Sequence, residues 1–258
     1  MGARPPAVLS LLTALTDSCP SWAIWKNIDS ALSGAGDVDS LAEPREWPRI
    51  IDLFGKWAEA AGLRPIIVCR HLPGALFLVA CDQASGRLTE LDVYSHLVLR
   101  GTAYVVPEEA RALTEVDPRG FRRLQPGAEA LFLLLAKRPN SRGGQRDETD
   151  ERIRELLASD PAGVARAATL FGRSAHAAIL SADAAATGGR NRLAMARWRF
   201  GALARVARTP RLAGSRILFG LRRGSDCPVI TALASDRRIP PEPETWLAEV
   251  KRSHTVIG

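Results

Sequence analysis

The sequence predicts an α/β (α+β) fold, in which a mixed β-sheet unit over residues 1–110 is followed by a mainly helical, basic unit over residues 111–258. Three observations carry this expectation. Short apolar runs with period-two alternation are concentrated in the first half, the three-and-four spacing of amphipathic helices takes over from Pro107, and the charge balance changes sign between the halves.

Residues 6 to 16 have helical spacing that Asp17 to Pro20 interrupts, and Trp22-Ala23-Ile24-Trp25 reads as a strand with Lys26 and Asn27 at its end. Ser33-Gly34-Ala35-Gly36 is a turn of small residues leading into the alternating Asp37-Val38-Asp39-Ser40-Leu41, a loop entering a strand. Trp47, Ile50, Ile51, Phe54, Trp57, Ala58 and Ala61 share a helical face, with Pro48 in the first turn and Gly62 just past the end. Strands are expected over 65–70, 75–81 and 88–99, the last two joined by the hairpin loop Asp82-Gln83-Ala84-Ser85-Gly86. Beyond Pro107 helices are expected almost throughout. Pro126 opens one that runs to Lys137, Asp160-Pro161 opens another that Gly172 closes, and the polar stretch 138–150 connects them.

No apolar run approaches the roughly twenty uninterrupted residues of a membrane-spanning helix. Residues 4 to 15 have the outline of a short secretion signal but read better as an amphipathic first helix. Cys19, Cys69, Cys81 and Cys227 lack the density and spacing of a disulfide scaffold, which fits buried, reduced thiols and a cytoplasmic setting. Residues 1–110 hold 9 Lys/Arg against 13 Asp/Glu, a net of −4, whereas 111–258 hold 26 against 15, a net of +11. The stretch 190–208 (RNRLAMARWRFGALARVAR) interleaves Arg with Leu193, Met195, Trp198, Phe200, Leu203 and Val206. It is a basic amphipathic helix whose apolar face is expected to pack internally, and whose Arg row suits an anionic acceptor, RNA or an acidic surface.

The chemistry concentrates in three aspartates. Successive side chains alternate sides of a strand, so Asp37 and Asp39 point to one face. Asp92, framed by Leu91 and Val93, adds a third carboxylate if its strand lies alongside, and Glu90 shares its face. Like charges so close cannot all stay ionised unaided. Magnesium, which takes a few carboxylates plus substrate phosphates, resolves the repulsion. Two such ions would suit the transfer of a nucleotidyl group from a nucleoside triphosphate, by polarising the α-phosphate and stabilising the leaving pyrophosphate.

Lys26-Asn27 after the first strand, nine intervening residues, Gly36-Asp37-Val38-Asp39, and later Leu91-Asp92-Val93 together resemble the nucleotidyltransferase superfamily typified by DNA polymerase β. The resemblance covers residues 20 to about 105. It implies Asp37, Asp39 and Asp92 as catalytic, metal-binding residues, Mg2+ as the cofactor, a nucleoside triphosphate as one substrate and a hydroxyl of unidentified identity as the acceptor. In that superfamily a Gly-Ser dipeptide helps hold the triphosphate. Here Lys26-Asn27 takes its place, so nucleotide binding is expected from Lys26, Asn27, Ser33, Gly34 and Gly36, Lys as a point charge and Asn as a donor. The substitution leaves two alternatives open beside the enzyme: a catalytically inactive binding protein of the same fold, or an Arg-rich nucleic-acid-binding protein.

Overall fold

The alternating apolar runs of the first half form strands whose two faces bury against different helices, and this sandwiching positions the aspartates. The computed structural model describes residues 7–34, 36–70, 72, 74–99, 102–136, 147–205 and 230–233. The first half runs α1 (Ala7–Ser18), β1 (Ala23–Lys26), α2 (Ile28–Ser33), β2 (Val38–Leu41), α3 (Trp47–Ala60), β3 (Ile66–Cys69), β4 (Ala75–Asp82), β5 (Arg87–Tyr94), β6 (Leu97–Leu99), β7 (Thr102–Val105) and α4 (Pro107–Arg111). The second continues with β8 (Thr114–Val116), β9 (Arg122–Leu124), α5 (Pro126–Ala136), α6 (Asp147–Ser159), α7 (Pro161–Thr169), α8 (Ala175–Ala186), α9 (Arg192–Ala204) and β10 (Ile230–Leu233). The chain is thus mixed α/β, and no helix among the described residues is long and apolar enough to cross a membrane.

Among the described residues eight strands form one mixed sheet in the order β10-β3-β4-β5-β2-β1-β9-β8, and β6 pairs with β7 apart from it. The central pairing is β2 with β5, which is parallel. A parallel pair cannot close through a tight turn, and α3, β3 and β4 together make the crossover. The β4–β5 hairpin turns where expected. Asp82 Oδ1 accepts from the Ala84 N–H at 3.0 Å, and Gly86 takes the left-handed conformation at φ 69°.

Strand alternation divides the core. Ile24, Val38, Leu91 and Val93 face α1 and α3, where they meet Leu12, Leu15, Trp22, Ile50 and Phe54. Trp25 and Leu41 face the other way, toward Tyr104, Leu131, Phe132, Phe171 and Trp198. The last four aromatic members contact in series, edge to face, with centroids 6.0, 6.5 and 5.4 Å apart. The first helix is integral to this core, since Val8, Leu11, Leu12 and Leu15 are all buried. Cys19, Cys69 and Cys81 are buried and form no disulfide, and Cys227 lies outside the described residues.

Three expectations need correction. The turn over 33–36 is preceded by a helix, α2, which Asn27 caps at one end and Gly34, with φ 78°, at the other. The run 88–99 is two strands, because the chain bends at Ser95 and His96, where the Ser95 N–H donates to the Gly74 carbonyl, and β6 leaves the main sheet. The segment after Pro107 is not almost wholly helical, since β9 pairs parallel with β1 through Ile24 and Arg123. Arg122 fastens β9 by donating to the carbonyls of Thr16, Cys19, Pro20 and Trp22, a tertiary preference that helical periodicity does not report. Of the basic stretch 190–208, α9 packs Ala194, Trp198 and Ala202 into the core with Met195 against them, as expected of its apolar face, while Leu193 and Phe200 remain exposed. Residues 206–208 lie outside the described residues.

Two helices of the second half meet at backbone distance. Asp160 caps α7 by accepting from the Gly163 N–H at 2.7 Å, and it also accepts from the Gly127 N–H of α5 at 3.1 Å. A Cβ on Gly127 would run into the Asp160 carbonyl oxygen and the Val164 nitrogen. Alanine ordinarily stabilises a helix relative to glycine. Gly127→Ala is therefore expected to reverse that rule and lower unfolding stability by about 2 kcal/mol in chemical denaturation.

Candidate metal centre

The parallel register of β2 and β5 sets Asp39 beside Asp92. An irregularity in the β1–β2 register between Ile24 and Lys26 brings Lys26 opposite Asp39. Asp37 stands just before β2, half-buried, on the face that Asp39 occupies. One carboxylate oxygen from each of Asp37, Asp39 and Asp92 lies within 4.8 Å of the others. Among the described residues no other group of His, Cys, Asp or Glu gathers in this way. Asp39 and Asp92 are 2% and 4% exposed, so two of the three carboxylates are held out of water.

Each buried carboxylate has particular partners. Lys26 Nζ is 2.7 Å from Asp39 Oδ2 and lies 5.0 Å from the centroid of the Trp25 ring. The Tyr94 hydroxyl donates to Asp92 Oδ2 at 3.1 Å, and Tyr94 is itself held edge-on against Phe77. The Ser40 hydroxyl donates to the Asp92 main-chain carbonyl at 2.7 Å, locking β2 to β5 at this level. Asp92 Oδ1 is buried and accepts no hydrogen bond.

These surroundings oppose ionisation. Burial, then the charges of Asp39 and Asp37, push the Asp92 carboxyl up to about 8, against a small downward pull from the Tyr94 hydroxyl. Burial raises Asp39 to about 6, with Lys26 working against it and Asp37 adding to it. Burial, and after it the neighbouring Asp92, raises the Tyr94 hydroxyl, which keeps its proton and remains a donor.

The residues at the end of β1 are placed beside this cluster. Asn27 has φ 57°, the one left-handed non-glycine conformation among the described residues, and its N–H donates to Glu129 Oε1 at 3.3 Å. Buried Glu129 of α5 also accepts from Arg152 Nη2 of α6 at 2.8 Å. Of the other residues expected to bind nucleotide, Ser33 is exposed with its hydroxyl bonded to the Ser30 carbonyl, Gly34 caps α2, and Gly36 is exposed one residue before Asp37. Lys26 and Asn27 are thus at the cluster, whereas Ser33 and Gly34 belong to the far end of α2. Glu90, half-buried two residues before Asp92, adds its charge to the same field.

Sequence reasoning overlooked Tyr94, Glu129 and Arg152. Tyr94 was within reach, because it follows Asp92 by two and so shares its face. Glu129 carried a signal too, as the single acidic residue in the otherwise apolar helix PGAEALFLLLA. Arg152, in a helix of alternating charges, had none.

The donor set suits a hard divalent ion. Oxygens bound at ~2.1 Å in an octahedron sit roughly 3 Å apart when adjacent and about 4.2 Å when opposite. The three oxygens all lie within 4.8 Å of one another, and closing on one ion would draw at least two of the three pairs in toward roughly 3 Å. No family model, curated protein or solved structure matches the chain.

The pH dependence follows from the direction of the shifts. Asp39 and Asp92 hold protons more tightly folded than unfolded, so their contribution to stability is full below the ordinary carboxylate range. It is lost as pH rises through about 6 for Asp39 and about 8 for Asp92. In metal-free buffer Asp92→Asn is expected to be more stable than wild type, by a margin that widens between pH 5 and 8 at up to roughly 1.4 kcal/mol per pH unit. Thermal melts across that range measure it, and a margin that stays flat or shrinks with pH contradicts it.

Proposed function

We propose that the chain is a metal-dependent nucleotidyltransferase that moves a nucleoside monophosphate from a nucleoside triphosphate to an acceptor hydroxyl. The observation that carries the reading is Asp92 Oδ1, a buried carboxylate oxygen without a hydrogen-bond partner, set against two further carboxylates. Such a donor set favours a hard cation over any arrangement of neutral side chains. Asp37, Asp39 and Asp92 would hold a Mg2+ ion, which would supply positive charge to the α-phosphate and the departing pyrophosphate.

The protein's own groups then have distinct tasks. Asp37, the most exposed of the three, would be the first to meet an incoming triphosphate. Asp39 and Asp92, both buried, would hold the ion from beneath. The acceptor oxygen bonds to the α-phosphorus as the bond to the β-phosphate oxygen breaks, and Asp92, ionised when a cation is present, takes the acceptor proton. Lys26 and Asn27 meet the triphosphate, with Gly36 in the turn that admits it and Ser33 and Gly34 supporting that turn. The exposed Arg192 and Arg197, beside Leu193 and Phe200 on α9, suit an anionic acceptor.

A second reading, a nucleotide-binding protein of this fold without turnover, is favoured by one specific observation. Both groups in the Gly-Ser position are already engaged inside the protein, Lys26 with Asp39 and the Asn27 N–H with Glu129.

Purified protein is to be incubated with each α-labelled nucleoside triphosphate, with small molecules, RNA and protein offered as acceptors. The enzyme reading expects pyrophosphate release and a labelled product that require a divalent cation, and losses on the order of 10²–10³-fold in Asp39→Asn and Asp92→Asn. Cation-dependent binding without turnover selects the second reading. Neither binding nor turnover refutes both.

A further inference from the structure

Resting on the metal-site reading above, the geometry points to a further property: the nucleotide-free centre takes one divalent cation, and the Lys26 ammonium stands where a second would share Asp39. Two ions close together are ordinarily joined by a carboxylate that gives one oxygen to each, at metal separations of about 3.5–4 Å. Asp39 is the carboxylate placed to do this, between Asp92 on β5 and Lys26 on β1. Its Oδ2 is already in contact with Lys26 Nζ at 2.7 Å, leaving Oδ1 for coordination.

The ammonium is held there. The register irregularity before Lys26 aims its side chain at Asp39, and the Trp25 ring lies alongside the charge. Asp39 is only 2% exposed, so an ammonium leaving it abandons a buried carboxylate. Charge leads to the same count. Three carboxylates and one ammonium carry a formal −2, which one divalent ion cancels, whereas two ions without nucleotide would leave a net +2 in a site largely closed to water. The two ions expected from the sequence belong to the transfer step with the triphosphate present, and without it the count is one. It makes Lys26 a fixed charge of the centre, with its exposed side free to meet a phosphate.

Equilibrium dialysis and electron paramagnetic resonance titration with Mn2+ alone, without nucleotide, count the ions. Wild type and Lys26→Arg are expected to bind one Mn2+ per chain. Lys26→Met, which keeps the stem and removes the charge, is expected to bind two, with the spectral broadening of neighbouring Mn2+ ions. Two ions in wild type, or one in Lys26→Met with its fold intact by circular dichroism, overturn the inference and leave the metal-site reading standing. No ion in wild type or in Lys26→Met overturns both. Because the readout is stoichiometry, an absence of transfer activity sinks the enzyme reading without touching this one.

Discussion

Carboxylates gathered a few ångströms apart and shut away from water must be neutralised, and the surrounding structure is arranged around that requirement. Burial and mutual repulsion already hold protons on Asp39 and Asp92 well above the ordinary carboxylate range. Lys26 neutralises part of the charge of Asp39, and the Tyr94 hydroxyl satisfies one oxygen of Asp92. The remaining Asp92 oxygen has no partner. The cost of such an arrangement explains why the segments that carry it are anchored so heavily. Parallel pairing, the Ser40 to Asp92 hydrogen bond and the apolar residues Leu91 and Val93 leave β2 and β5 no room to separate.

The centre also joins the two halves of the chain. The sheet face that carries Trp25, Asp39 and Leu41 is the one on which the later helices pack. Glu129 reaches from α5 to the Asn27 N–H and is itself tied to Arg152 of α6. A shift of α5 or α6 would thus be felt at the end of β1, two side chains from the carboxylates. The link from α6 to the end of β1 is a short chain of charged hydrogen bonds.

The sequence made the carboxylates legible because strand periodicity is a strong local signal. Asp37 and Asp39 fall two apart, and Asp92 sits between two core residues, so their common side follows from alternation alone. That β2 lies next to β5 is a long-range fact, and it came through a resemblance of short motifs. The helix over 47–61 was visible from its apolar stripe and from Pro48 and Gly62, and the observed α3 spans Trp47–Ala60. What stayed hidden was set by tertiary partners. β9 forms because β1 offers it an edge and Arg122 four carbonyls, and the break after Tyr94 depends on a contact with Gly74. The Lys26 to Asp39 pair needed a register irregularity that no periodicity encodes. Glu129 acts at a distance of 102 residues from the backbone group it holds.

The central claim is that Asp37, Asp39 and Asp92 form a single coordination site. Anomalous scattering from crystals grown with Mn2+ tests it most directly. The account predicts a peak within about 2.3 Å of an oxygen of each of the three carboxylates. No peak at the cluster at saturating Mn2+, or a peak bound by surface carboxylates alone, would contradict it.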